Sequence, residues 1–423
     1  MVVKRRHVFF RNRIYRRLWM ARTGSSLGDW FNQVALSTTV LAITDSPAAM
    51  GFVLLCLDLP QAVISPLVGP LIDRFSKRKI MIASDLVRAV VILSFILASV
   101  FRQMWVFYLG GPILGCASAF FSPAKSATIP VVVEKSDLTE ANALDLSTSG
   151  ALAIIGALLG GIVSSFFLPA VSFLINCLSY VWSAVIILNT HWNEEAEAAA
   201  VPKQGQSIGN YKKQLLDGFK LIFKHRIILA LFVTTFAFAL STGPYFIMVP
   251  VLGDSLYKYS GMGIGLLYAA DGLAFILTGV LIQKAVGREI EKVRRWYGFG
   301  FLINGLFFVA FAFSSTLWSG MLFLFLSQLG SGIIMSLSTA LFQIFIPKDY
   351  RGRIFAIEGT VYKSTSQLSL AVSGPAIQLF GSPLVGTLIG VLTSFSGFGW
   401  MWISRRFDRV VPGENQSGTS EIL

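Results

Sequence analysis

Residues 50–71 read MGFVLLCLDLPQAVISPLVGPL, and residues 262–282 read MGIGLLYAADGLAFILTGVLI. A helix crosses a ~30 Å hydrocarbon core with about 20 apolar residues, and each run has that length. Each also carries a lone aspartate near its centre. With Met50 set on Met262, Asp58 falls within one position of Asp271. A second pair echoes the first: SGALAIIGALLGG (149–161) loosely matches SLAVSGPAIQLFG (369–381), with Gly156 on Gly374. That register sets Asp145 opposite Lys363 and Glu140 opposite Glu358. Two similar sets of spanning helices, meeting around a midplane site, are an architecture of secondary transporters.

The whole chain agrees. Of its 423 residues 54% are apolar and 13% charged, about half the ~25% charge of soluble domains. Twelve apolar runs can be marked: 19–43, 48–70, 80–101, 104–123, 143–167, 170–190, 227–251, 262–284, 296–314, 317–346, 354–379 and 382–403. An even number of crossings puts both ends on one side. Of the 35 Lys and Arg, only Arg102 and Lys258 fall in the loops of the opposite side, and Arg88 and Lys363 fall within runs. The positive-inside rule then makes both termini cytoplasmic. The net charge of +13 is read as topology determinants against anionic headgroups, not as a nucleic-acid surface. The expected organisation is a six-helix bundle over 1–190, a cytoplasmic linker over 191–226, a second bundle over 227–404 and a tail over 405–423. Within the linker, YKKQLLDGFKLIFKHR (211–226) reads as a basic amphipathic helix on the membrane surface.

Enzyme chemistry finds no motif: there is no Walker loop, no H-E-x-x-H and no nucleophile elbow. Cys56, Cys116 and Cys177 stand singly inside apolar runs, and His7, His191 and His225 lie outside them. Neither a metal site nor a cofactor is expected.

The segment GPLIDRFSKRK (69–79) resembles the loop signature of the major facilitator superfamily, G-x-L-x-D-R-x-G-R-R/K, with Ser76 in place of the second glycine. The likeness extends through KIMIASDLVRA (79–89), TEANAL (139–144) and PKDYRGRIF (347–355). These stretches resemble the bacterial branch of macrolide-efflux and enterobactin-exporter-type permeases. The resemblance implies an all-α twelve-helix fold of two pseudo-symmetric bundles, working by alternating access. It also implies that Gly69, Asp73, Arg74, Lys77 and Arg78 form a latch at the cytoplasmic face, with Asp73 its anion. Asp85 and Arg88, three residues apart on one helix face, could join that latch, as could Asp145 and Glu358. Two departures stand out. Gly111 occupies the position of the helix-four arginine of many proton-driven members, and Ala157 replaces the proline of the helix-five signature G-P-x-x-G-G.

Independently of any family, ionisable side chains at bilayer depth cost about 2.5–3.5 kcal/mol each and usually face a cavity or a partner. Asp29 lies about ten residues into run one, or ~15 Å. Arg22, Ser25, Ser26, Asn32, Gln33 and Ser37 share its face at helical spacing. Asp58 has Gln61 and Ser65 beside it, and Asp271 has Thr278 two turns on. Lys363 runs with Ser366 and Gln367, and Asp145 with Thr148 and Ser149. One reading makes Asp29, Asn32, Gln33, Asp58, Gln61, Asp271 and Lys363 the substrate and proton site. The other makes them interhelical glue, with Asp145 and Lys363 as an ion pair across the halves. Phe236, Phe238, Tyr245, Phe246, Tyr268 and Met248 could line an amphiphile cavity or simply face lipid.

The expected function is export of amphiphilic small molecules, drug- or siderophore-like, by proton antiport across a bacterial cytoplasmic membrane. The partners are then the substrate, protons and membrane lipids, with no nucleic acid, and the protein is a monomer. An importer or proton symporter on the same fold, and a lipid-handling membrane protein, are the alternatives.

Overall fold

A computed structural model of the protein describes residues 7–72, 75–192, 219–286, 289–347 and 350–405. Helices dominate, and no strand occurs among the described residues. The first half comprises α1 (Arg13–Thr44), α2 (Pro47–Ile72), α3 (Lys77–Phe101), α4 (Met104–Val132), α5 (Leu138–Phe166) and α6 (Pro169–Leu188). The second half opens with α7 (Arg226–Pro250), which a π-helical segment Val251–Leu256 extends. Then come α8 (Ser260–Val286), α9 (Ile290–Ala312) and α10 (Leu317–Phe345). The last helical run, Arg351–Arg405, breaks at Gly381 (φ 78°, ψ 159°), giving α11 before the break and α12 after it. That backbone region is essentially glycine's alone.

Ten described helices are long and apolar enough to cross a bilayer. The Gly381 break divides the last of these. α1 falls outside the set because its polar stripe dilutes its apolar residues, and it completes the twelve. Some helices overrun the apolar runs. α4 continues past position 123 to Val132, and α5 begins at Leu138. Tertiary bonds hold these extensions: Asn12 donates to the Val132 carbonyl at 2.6 Å, and the Tyr15 hydroxyl to the Ala141 carbonyl at 2.8 Å. The linker expected over 191–226 lies largely outside the described residues, as does the tail expected over 405–423. Residues 219–224 are helical, and Ile222 is buried in the core of the second half.

The core decides the shape. The first described helix starts and the last described helix ends at the same end of the bundle, here the terminal end. At the opposite end a single apolar core joins the halves, running from Val34, Phe95 and Phe173 to Ile247, Leu267 and Leu370. At the terminal end the core is split. One part centres on Leu18, Val68 and Met81, and another on Leu231, Tyr297 and Phe342. The halves are therefore fused at one end and separate at the other.

Backbone contact between small residues makes the fusion tight. A Cβ built on Gly265 of α8 would stand 2.5 Å from the Ala157 carbonyl oxygen and 3.0 Å from the Gly161 Cα of α5. A Cβ on Gly374 of α11 would stand 2.6 Å from the Pro47 carbonyl oxygen of α2. Nearby, Ser46 donates to the Gln378 side chain at 2.7 Å, and the Met262 amide donates to Ser165 at 2.6 Å.

Candidate substrate and ion site

Between the separated ends, the first half presents a polar cavity of about 560 Å³. The α1 stripe lines it with Arg22, Ser25, Ser26, Asp29, Asn32 and Gln33, while Ser37 is buried elsewhere. α2 adds Asp58 and Gln61, and α4 adds Ser118, Ser122 and Ser126. Asp58 has no hydrogen bond or ion pair among the described residues.

A chain of polar contacts runs behind Asp29. The Tyr180 hydroxyl of α6 donates to the Asp29 carboxylate at 2.5 Å. The guanidinium of Arg88, from α3, lies 4.4 Å from the centre of the Tyr180 ring and 4.3 Å from that of Phe121. Arg88 is ion-paired with the fully buried Asp85. Three helices thus support one another through buried groups that an apolar interior tolerates only when paired. At the mouth, Asp145 meets Arg22 at 3.0 Å and Lys125 at 2.6 Å.

The second half offers a smaller, aromatic cavity of about 210 Å³ around Asp271. The Tyr245 hydroxyl donates to Asp271 at 2.7 Å, and the other carboxylate oxygen is buried without a partner. Phe238, Phe246 and Tyr268 form walls, and Trp30 reaches across from α1 to Tyr268 edge-on, with ring centres 5.8 Å apart. Phe236 instead faces outward and Met248 is fully buried in the shared core, so neither lines the cavity. Glu358 belongs to a separate pocket of about 160 Å³ with Tyr297, Ser338 and Tyr362.

Several groupings expected from the sequence come apart. Asp145 does not pair with Lys363 across the halves, because Arg22 and Lys125 of its own half reach it first. Asp85 and Arg88 belong with Asp29 and not with a surface latch, since their face of α3 turns toward α6. Glu358 sits inside the second half. Asp73 and Arg74 lie outside the described residues. Arg78 donates to the Ile187 and Leu188 carbonyls and contacts His191, tying α3 to the end of α6, while Lys77 is buried. Lys363 lies apart from both cavities, in a lateral cleft described below.

Other features escaped the sequence reading. The i, i+4, i+8 serines of α4 were a legible signal. Tyr180 and Tyr245 as donors, and Lys125 as a partner of Asp145, were not, because each pairing joins different helices. Gly111 faces α2, where a Cβ would stand 3.2 Å from that of Cys56. An arginine has no room there, and the buried guanidinium of this cavity comes from α3 instead.

The sequence model of the Major Facilitator Superfamily matches residues 18–368. The chain belongs to the major facilitator superfamily. It is 25% identical to the uncharacterized MFS-type transporter YfiS of Bacillus subtilis, over 90% of each chain. It is 20% identical to macrolide efflux protein A of Streptococcus pyogenes, over 84% of this chain and 87% of that one. In fold it is similar to a bacterial homologue of the iron transporter ferroportin in an inward-facing state, with TM-score 0.72 and 17% identity over 92% of this chain and 98% of that one. A major facilitator protein is a multi-pass membrane transporter for small molecules, not an enzyme.

Proposed function

We propose that this protein exports amphiphilic small molecules from the cytoplasm in exchange for protons, by alternating access between its halves. The observation that carries the reading is the set of embedded carboxylates: Asp29 and Asp58 open on the polar cavity, and Asp271 on the aromatic one. Ionisable groups at bilayer depth usually serve a partner or a transported species, and in this reading each takes up a proton on one side and releases it when substrate or a polar partner arrives. The charged wall suits a polar end of the substrate and the aromatic wall an apolar body. By the positive-inside reading the open end is cytoplasmic, in the plasma membrane of a bacterium, and substrate loads there. The relatedness to a macrolide efflux protein supports the outward direction. Asn32, Gln33 and Gln61 are assigned to substrate contact, and Asp73 with Arg74, Lys77 and Arg78 to the cytoplasmic latch. The functional unit is the monomer, with bundles over 1–190 and 227–404.

The test uses everted vesicles with an acid interior and a panel of dyes, macrolides and catecholate siderophores. The expected result is accumulation that a protonophore abolishes and that Asp58→Asn eliminates. Accumulation that ignores the gradient, or survives Asn at Asp29, Asp58 and Asp271 in turn, overturns the carboxylate mechanism. Uptake driven in the reverse sense makes the protein a symporter.

A further inference from the structure

α2 and α11 touch at the opposite end, where a Cβ on Gly51 would stand 3.2 Å from the Gly374 Cα. Toward the terminal end they diverge around a lateral cleft of about 730 Å³, within the size range of small-molecule sites. α2 is the partition: Asp58 and Gln61 face the polar cavity, while Leu55, Leu59, Ala62 and Val63 face the cleft. Across from them, Phe355, Leu368 and Ala371 of α11 continue the apolar wall. Exposed Leu59, Val63 and Leu368 make the cleft a surface that lipid chains can reach.

Into this apolar wedge α11 places a polar cluster, Lys363, Ser364 and Gln367. Lys363 lies twelve residues along from Arg351, or ~18 Å, at bilayer depth. It is exposed to the cleft, and among the described residues it has no partner. The Gln367 side-chain oxygen is buried and accepts no hydrogen bond. An ammonium in hydrocarbon seeks an anion, and a buried carbonyl seeks a donor. A carboxylic or phosphoric acid head answers the first need, and a hydroxyl or amide beside it the second. A quaternary ammonium or a purely apolar lipid answers neither.

We propose that the cleft binds a single-chain acidic amphiphile taken sideways from the leaflet, its head held by Lys363 and Gln367 and its chain lying between α2 and α11. The proposal rests on the reading of the chain as an amphiphile transporter and names the substrate class at a second, lateral site. Its test requires neither a gradient nor transport, so it fails or stands apart from proton-coupled export. Leu368→Trp places a fluorophore at the cleft wall of protein in phosphatidylcholine nanodiscs, with the unsubstituted protein as background. Dibromostearate is the probe, and its methyl ester the uncharged control. The acid is expected to quench at a tenfold or lower mole fraction than the ester. Lys363→Gln removes that advantage and Lys363→Arg retains it, and equal quenching of all three variants by brominated phosphatidylcholine shows the fold intact. Equal quenching by acid and ester, unchanged preference in Lys363→Gln, or equal quenching by a brominated quaternary ammonium overturns the proposal. Selective quenching by brominated phosphatidylglycerol without the acid also overturns it, in favour of a resident bilayer lipid.

Discussion

The fused end of the molecule is held by α5 and α8 at backbone distance, and Gly265→Ala tests what that closeness does. The added methyl would stand 2.5 Å from the Ala157 carbonyl oxygen and 3.0 Å from the Gly161 Cα. Ordinary contact begins near ~3.4 Å, so the helices must part by roughly 1 Å. Overpacking of this kind costs about 1–3 kcal/mol. The cost falls on the conformation with this end closed and not on one with it open. At ~1.4 kcal/mol per tenfold, the ratio of closed to open shifts by about fivefold to a hundredfold or more. Spin labels at Gln103→Cys and Trp318→Cys report the opening, since both residues are exposed near this end of opposite halves. Native cysteines are replaced first. The expected result is a new, longer-distance population in Gly265→Ala. Gly359→Ala is the control, because nothing lies within 4 Å of its added Cβ. An unchanged distribution in Gly265→Ala, or an equal shift in the control, refutes the argument that this contact sets the closed state.

Arg88→Met leaves Asp85 buried and unpaired and is expected to cost about 3–5 kcal/mol, read as a lowered melting temperature in detergent. Adding Asp85→Leu should recover more than half of the loss, and a double variant no better than the single counts against the buried pair. Tyr245→Phe removes the donor to Asp271 and should destabilise by about 1–3 kcal/mol. In an Asp271→Asn background the same change should cost less, which differential scanning fluorimetry measures. Gly381→Ala forces an L side chain into a glycine-only backbone region at about 1–3 kcal/mol. It should speed proteolysis between α11 and α12, and unchanged cleavage would contradict the assigned conformation.

Much of this was legible from particular residues. Apolar length alone placed α2, α3 and α8 to within a few residues, because lipid demands that each segment satisfy its own backbone hydrogen bonds. The spacing of Ser25, Asp29, Asn32 and Gln33 put α1 on a polar cavity despite its low hydropathy. The positive-inside expectation is a local reading of the same kind, since each charge answers to its own distance from lipid. Repeats such as Asp58 with Asp271 disclosed two halves. Local periodicity could not say which charges meet. The repeat set Asp145 opposite Lys363, and only the packing of α1 and α4 against α5 gave it Arg22 and Lys125 instead. Likewise the role of Arg88 depended on α3 turning toward α6. That the halves share a core at one end and lie apart at the other follows from glycine contacts such as Gly161 with Gly265, whose partners lie a hundred residues distant. Hydrocarbon constrains each helix singly and can be read along the chain, whereas charge pairing and helix contact are decided between helices, where only tertiary structure acts.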